Sequence, residues 1–177
     1  MKKVAIILGL FVGTTLLVFL GIGMFAPDYV ETVSVEIDAP LAKTWAIFND
    51  PANMEKWMST DQMKFESIEL ISGKENEVGS KYKLVMTDRG NRVEMIETVM
   101  AYEFQKRFAF NLKDDFADFN LDISFKEDNG KTIVTEVNSG GIELPFFSKV
   151  MVYMFRGMIK AQKEEMYGQL KELVEKS

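Results

Sequence analysis

Hydrophobic and polar positions divide the chain into an apolar N-terminal segment and a longer, mixed segment. Two lysines precede an uncharged run of 23 residues from Val4 to Ala26, in which two threonines are the only polar side chains. As a helix this run would be roughly 35 Å long, enough to cross the hydrocarbon core of a bilayer, which is about 30 Å thick. The pattern predicts a transmembrane anchor over residues 1–27.

A cleaved signal peptide is the alternative interpretation of this segment. Signal peptides have an apolar region of only about 7–15 residues, followed by a cleavage site of small residues. Gly21-Ile22-Gly23 is a poor version of such a site, which favours an uncleaved anchor. Both lysines precede the run, while Asp28 and Glu31 follow it. The positive-inside rule therefore puts the N-terminus in the cytoplasm and residues 28–177 outside it.

The beginning of the second segment has the pattern of one strand followed by two short helices. Residues 33–37 alternate apolar and polar side chains, which predicts a strand. A helix over residues 41–48 should follow, with Asp38 as its N-cap. A second short helix is expected from Pro51 toward Trp57, because proline is tolerated in the first turn.

From residue 63 to residue 142 the alternation continues through about six strands. Turns are predicted at residues 72–76, 88–91, 101–103, 113–115 and 128–130. Connections this short favour antiparallel neighbours, since a parallel crossover needs about a dozen residues. Residues 146–175 then repeat apolar side chains at three- and four-residue steps, which predicts one long amphipathic helix. The predicted fold class is α+β, with a curved antiparallel sheet packed against this helix.

Composition and charge exclude several kinds of function. With 0 Cys and 0 His, the chain has no disulfide, thiol nucleophile or imidazole base, and we predict neither a metal site nor a cofactor. Residues 28–177 carry 19 cations against 27 anions, so a nucleic-acid partner is not expected. Lys160 and Lys163 are expected on the exposed face of the last helix. The pattern does not predict an oligomeric state.

One stretch near the start of the second segment resembles the opening of a known superfamily. START-like proteins, also called SRPBCC proteins, typically begin with apolar-x-apolar-x-Ala-Pro, a Trp five residues later, an Asp at the end of the helix and another Trp nearby. The matching residues here are Val35-Glu36-Ile37-Asp38-Ala39-Pro40, Trp45, Phe48, Asp50 and Trp57. Residues 132–135 and the long terminal helix also resemble the family, so the resemblance covers roughly residues 29–175.

This resemblance implies a helix-grip fold, in which the sheet wraps the C-terminal helix and encloses a hydrophobic cavity. Members of the superfamily bind lipids, sterols, plant hormones or polyketides. Relatives include polyketide cyclases or dehydrases and activators of a heat-shock chaperone. The opening motif is structural, so it implies a fold more than an activity, and no catalytic residue is assigned.

Inward-facing apolar residues are candidates for the walls of such a cavity. They share strand faces or one side of the last helix, and flexible methionines suit varied apolar ligands. Ordinary core packing is the alternative role for any one of them. The candidates are Tyr82, Leu84, Met95, Phe108, Phe110, Met151, Phe155 and Met158, with Met154 on the same side of the helix as the last three.

Glu97 is the most specific polar candidate for this cavity. It alternates with Val93, Met95 and Val99, so it should face inward, where desolvation would raise its pKa. A bulge in this strand would change the register, and Glu94 would then face the cavity instead. An exposed Glu97 paired with a neighbouring cation is the remaining interpretation.

These observations favour a single-pass protein of the cell membrane. Its domain over residues 28–177 would bind a hydrophobic small molecule or lipid without catalysing a reaction. The alternative is an enzyme similar to a polyketide cyclase or dehydrase, with Glu97 or Tyr82 as acid or base. A third hypothesis is a protein-interaction module similar to the chaperone activators, which would require a cytosolic domain.

Overall fold

The computed structural model describes residues 2–25, 28–115, 118–140 and 146–177, which form four helices and seven strands. The helices are α1 (Lys2–Phe25), α2 (Leu41–Phe48), α3 (Pro51–Met58) and α4 (Phe146–Lys176). The strands are β1 (Val30–Ile37), β2 (Met63–Ser72), β3 (Lys81–Asp88), β4 (Asn91–Glu103), β5 (Arg107–Lys113), β6 (Asp118–Asp128) and β7 (Lys131–Gly140).

The strands form one antiparallel sheet in the order β1-β7-β6-β5-β4-β3-β2. Strands β1 and β2 are consecutive in the chain but lie at opposite edges, and α2 and α3 connect them. Register shifts in β2 and in β4, between Val99 and Ala101, increase the local twist. The curved sheet and the long α4 confirm the predicted α+β, helix-grip architecture.

The C-terminal half of α4 packs against the sheet with one stripe of apolar side chains. Met166, Leu170 and Val174 are buried at four-residue steps, together with Tyr167. They join the core formed by the buried residues Ile37, Trp45, Phe48, Trp57 and Val134. Full burial of one such apolar side chain contributes about 1.5–3 kcal/mol, so this stripe fixes the position of α4.

A second, smaller core lies on the inner face of the sheet, toward the edge formed by β2. It contains Phe65, Leu84, Met86 and Met95 from β2, β3 and β4. The N-terminal half of α4 does not bury its apolar residues to the same extent, since Phe147, Met154, Phe155 and Met158 are exposed. Space therefore remains between this half of the helix and the sheet.

Two local predictions were wrong. Asp38 does not cap α2, because Pro40 is the N-cap residue and the N–H of Asp38 donates to the Glu175 carboxylate at 2.8 Å. The turn predicted at residues 101–103 lies further along the chain, since β4 continues to Glu103. Strand β4 pairs with β5 on both sides of its bulge, up to Glu103 opposite Arg107, and the chain reverses at residues 104–106.

Helix α1 is long and apolar enough to cross a membrane, a property that it shares with signal sequences. Its C-terminal end contacts the beginning of α4. The ring of Phe19 lies 6.2 Å from that of Phe146 and 6.0 Å from that of Phe147. Gly23 is buried against the Phe146 ring, and a larger side chain at Gly23 would collide with that ring.

Candidate functional site

A cavity of about 750 Å³ lies between α3, α4 and the inner face of the sheet. Each strand from β3 to β7 lines it with alternate residues, as the pleat of a strand requires. In β4 these are Val93, Met95 and Glu97, and in β5 they are Phe108, Phe110 and Leu112. The curvature of the sheet and the position of α4 keep the two walls apart.

Methionine and aromatic residues make up nearly half of the residues that line the cavity. Of the 12 methionines in the chain, eight line the cavity. Thioether side chains are flexible and polarizable, so a wall of this kind can adapt to apolar ligands of different shapes. The eight are Met54, Met58, Met63, Met86, Met95, Met151, Met158 and Met166.

All nine residues predicted to form the binding cavity lie on its wall. They are Tyr82 and Leu84 of β3, Met95 and Glu97 of β4, Phe108 and Phe110 of β5, and Met151, Phe155 and Met158 of α4. That these residues contact a ligand remains a prediction. Met154 was wrongly expected beside them. It is 57% exposed and, although it lies on the same side of the helix as Met151 and Met158, it does not line the cavity.

Glu97 lies inside the cavity, opposite Tyr82 of β3 on one side and Leu112 of β5 on the other. Only 6% of its surface is exposed, and burial raises the pKa of its carboxyl to about 7. Within the described part of the chain, no side chain or backbone group bonds to this carboxyl. The bulge in β4 comes after Glu97, so it does not change which side Glu97 faces.

Glu94, the alternative candidate, is on the outer face of β4. Its carboxylate lies 2.6 Å from the Lys83 ammonium and 2.8 Å from the Arg92 guanidinium. The hydrogen bond from Lys83 is the main reason that its pKa lies below the usual range. The hydroxyl of Tyr82 is also engaged, because it accepts a hydrogen bond from the N–H of Asn76 at 3.2 Å.

A second polar group at the cavity wall was not predicted. Glu136 of β7 is only 4% exposed, and it binds both the Lys163 ammonium at 2.9 Å and the Tyr167 hydroxyl at 2.7 Å. Burial, together with the Glu136 charge, raises the pKa of Tyr167 well above its usual range. Lys163 was wrongly expected in solvent. The sequence pattern could have indicated that Glu136 faces inward, because it lies two residues after Val134 and two before Asn138, on the same buried face of β7.

Two further polar atoms of the cavity wall lack partners among the described residues. These are Oδ1 of Asn138 and the indole Nε1 of Trp57, both buried. An acceptor and a donor left unpaired in this way are costly to bury unless something else bonds to them.

Arg89 joins three elements at one end of the cavity. Its guanidinium donates to Oε1 of Gln62 at 2.9 Å and approaches the sulfur of Met158 at 2.8 Å. The turn between β3 and β4 is thereby connected to the segment before β2 and to α4. This arrangement positions the exposed part of α4 at the rim of the cavity.

Residues 31–175 match the family described as "Polyketide cyclase / dehydrase and lipid transport". The chain belongs to this family. The match spans the sheet, α2, α3 and all but the end of α4, and it leaves α1 outside. No curated protein matches the chain by sequence.

Solved structures show the same fold at low sequence identity to this member of the polyketide cyclase, dehydrase and lipid transport family. Protein NE0264 from Nitrosomonas europaea is 14% identical, with a TM-score of 0.66 over 83% of this chain and 94% of that one. TTHA0849 from Thermus thermophilus is 16% identical, with a TM-score of 0.64 over 82% and 97% of the two chains. Ara h 8.0201 is 10% identical, with a TM-score of 0.63 over 85% and 100%.

The site of this family member combines a large, mostly apolar wall with several polar side chains. The polar groups can orient a ligand, and a carboxyl that titrates near neutral pH can also accept or donate a proton. Three of the remaining polar side chains, Glu136, Lys163 and Tyr167, already bond to one another. The arrangement is therefore suited first to binding, and acid–base chemistry would depend on Glu97.

Proposed function

We propose that the protein binds a hydrophobic small molecule or lipid in its cavity, holds it beside a membrane and does not catalyse a reaction. The observation that carries this proposal is the apolar cavity of about 750 Å³. Pockets for small ligands typically enclose about 300–1,000 Å³, so this volume suits a ligand of that size.

The bonding of the polar residues favours binding over catalysis. A proton-transfer mechanism normally uses groups that are free to bond to the substrate. Glu136 is held by Lys163 and Tyr167, and the Tyr82 oxygen accepts a hydrogen bond from the N–H of Asn76, which fixes its position. These contacts are consistent with a structural role. An enzyme of the cyclase or dehydrase type is the second candidate, because burial brings the pKa of Glu97 to about 7.

The membrane anchor is supported by α1 and by its contact with α4. Phe19 precedes the end of α1 by six residues, which corresponds to about 9 Å along a helix. A spanning α1 would therefore hold Phe146 and Phe147 about 9 Å below its outer end, near the edge of the hydrocarbon core. Since Met151 and Phe155 follow on the same helix and line the cavity, a ligand could pass between the bilayer and the cavity. The lysines before α1 favour a domain outside the cytoplasm.

Mass spectrometry of the lipids and small molecules retained by the purified full chain tests this proposal. We expect an apolar species in stoichiometric amount, and we expect a Met151→Trp variant to lose it because the larger side chain would project into the cavity and narrow it beside α4. Met154→Trp is the matched control, since Met154 is on the same helix but outside the cavity. A chain that retains no such species and binds no apolar probe would contradict the proposal. Turnover of a polyketide-like substrate that requires Glu97 would favour the enzyme instead.

A further inference from the structure

We propose that the ligand carries a protonated amine and that this amine binds Glu97. The inference rests on the proposed binding function and names the polar group of the ligand. It is carried by the position of Glu97 in the cavity and by the distribution of charge around it.

Glu97 is a buried acceptor without a donor among the described residues. It is surrounded on the sheet by the apolar Met95 and Leu112 and by the ring of Tyr82, whose hydroxyl bonds to the backbone of Asn76. A carboxylate buried without a partner is strongly disfavoured, and a charged donor removes most of this cost. The carboxyl faces the cavity, so a ligand is well placed to supply that donor.

The cations of the cavity are too far away to serve as this donor. Glu97 is paired with Tyr82 on β3, and Arg89 directly follows Asp88 at the end of that strand. Tyr82 and Asp88 are six residues apart, which corresponds to about 20 Å along a strand. Arg89 is also bonded to Gln62. Lys163 binds Glu136 on β7, three strands from β4, or about 14 Å across the sheet.

The balance of charge favours a cationic ligand over a fatty acid. The anionic side chains of the wall outnumber the cationic ones by four to two, and one of the two cations is already paired with Glu136. A ligand carboxylate would meet an excess of like charge. The charged and titratable groups that line the cavity are Glu75, Asp88, Glu97, Glu136, Arg89, Lys163, Tyr82 and Tyr167.

Amine binding should depend on pH through Glu97. Burial raises the pKa of this carboxyl to about 7, so it is ionised above neutral pH and protonated well below it. An ammonium ion pairs only with the ionised form. We therefore expect the affinity for an amine to fall roughly 100-fold between pH 8 and pH 5, by proton linkage.

The test compares three ligands that share one apolar body of a phenyl ring and five methylenes: 5-phenylpentylamine, 5-phenylpentan-1-ol and 6-phenylhexanoate. Their affinities for the full chain in dodecylmaltoside micelles are measured by isothermal titration calorimetry, with empty micelles as the blank. At pH 7.5 we expect the amine to bind at least tenfold more tightly than the alcohol or the carboxylate. Glu97→Gln should abolish this preference but leave alcohol binding within about threefold, which also shows that the variant is folded. Glu94→Gln, on the outer face of the same strand, should keep the preference.

Equal or tighter binding of the alcohol or the carboxylate would overturn the inference, as would an amine preference that persists in Glu97→Gln. If none of the three binds while the neutral probe N-phenyl-1-naphthylamine does, the amine inference fails and the binding function stands. If that probe also fails to bind, the binding function fails as well.

Discussion

The ammonium nitrogen of Lys163 lies 2.9 Å from Oε1 of Glu136, joining α4 to the inner face of β7. Oε2 of the same carboxylate accepts a hydrogen bond from the Tyr167 hydroxyl, one helical turn further along α4. Both oxygens of a nearly fully buried carboxylate are thus satisfied by the helix. Charge pairing holds α4 against the sheet in the region where the cavity begins.

Replacement of Lys163 by methionine should destabilise the protein by about 3–5 kcal/mol. The change would leave the Glu136 charge buried without its cation, and uncompensated buried charges are costly. Denaturant-induced unfolding measures the loss. Lys160→Met is the control, because its partner Glu31 is more exposed and the pair should contribute less than about 1 kcal/mol. Adding Glu136→Gln to Lys163→Met should recover part of the loss, and no recovery would contradict this account.

Glu97→Gln should remove a pH dependence of stability between about pH 4.5 and pH 7. The pKa of Glu97 is raised from 4.5 in the unfolded chain to about 7 in the folded protein. The folded state therefore binds the proton more tightly, so this group favours folding at low pH and the benefit is lost as the pH rises through 7. At pH 8 the variant should be more stable than the parent, by a difference on the order of 3 kcal/mol, whereas near pH 4.5 the two should be similar.

Thermal unfolding of both proteins across this pH range measures the effect. Glu94→Gln provides the matched comparison, since that side chain is exposed and paired with Lys83. A parent and a Glu97→Gln variant whose stabilities change in parallel with pH would show that the carboxyl is not held in a desolvated position.

Met151→Trp should block the cavity without a large loss of stability. If the space is open, the indole occupies it and binding of N-phenyl-1-naphthylamine falls at least tenfold. If the residues instead form a solid core, overpacking should cost about 1–3 kcal/mol. Probe titration and thermal unfolding of the same variant separate the two cases. Met154→Trp should change neither quantity, because Met154 is exposed and does not line the cavity.

Residues 28–177 should fold without α1 and remain soluble. They contain the whole sheet and both apolar cores, and their net charge of −8 opposes association. Cooperative thermal unfolding of this fragment, with far-ultraviolet circular dichroism as the readout, is the expected result. An aggregated or non-cooperative fragment would show that the contact of α1 with Phe146 and Phe147 is needed for folding.

The full chain should resist extraction from membranes by alkaline carbonate, and a C-terminal alkaline phosphatase fusion should be active. Both results follow from an uncleaved α1 with its lysines in the cytoplasm. A fusion to β-galactosidase is the reciprocal control and should be inactive. Activity of the β-galactosidase fusion alone would place the domain in the cytoplasm, and it would favour the hypothesis of a chaperone-activator-like module.

Local sequence patterns predicted most of the elements and the inward face of the central strands. Side chains on a strand alternate between the two faces, so Tyr82, Met95 and Phe108 could be assigned to one face from their parity alone. The same reasoning assigned Glu97 to that face. This assignment depends only on the residues next to Glu97 in the strand. It holds because the bulge of β4 lies beyond Glu97, between Val99 and Ala101.

Only the tertiary structure decided which inward residues border open space and which polar groups meet. The pairing of Lys163 with Glu136 joins residues 27 positions apart on different elements, and it depends on how α4 crosses the sheet. The exposure of Met154 depends on the rotation of α4 about its axis. An open cavity and a filled core share the same alternation of apolar residues, because local periodicity determines the direction of a side chain. The curvature of the sheet and the distance to α4 determine what that side chain meets.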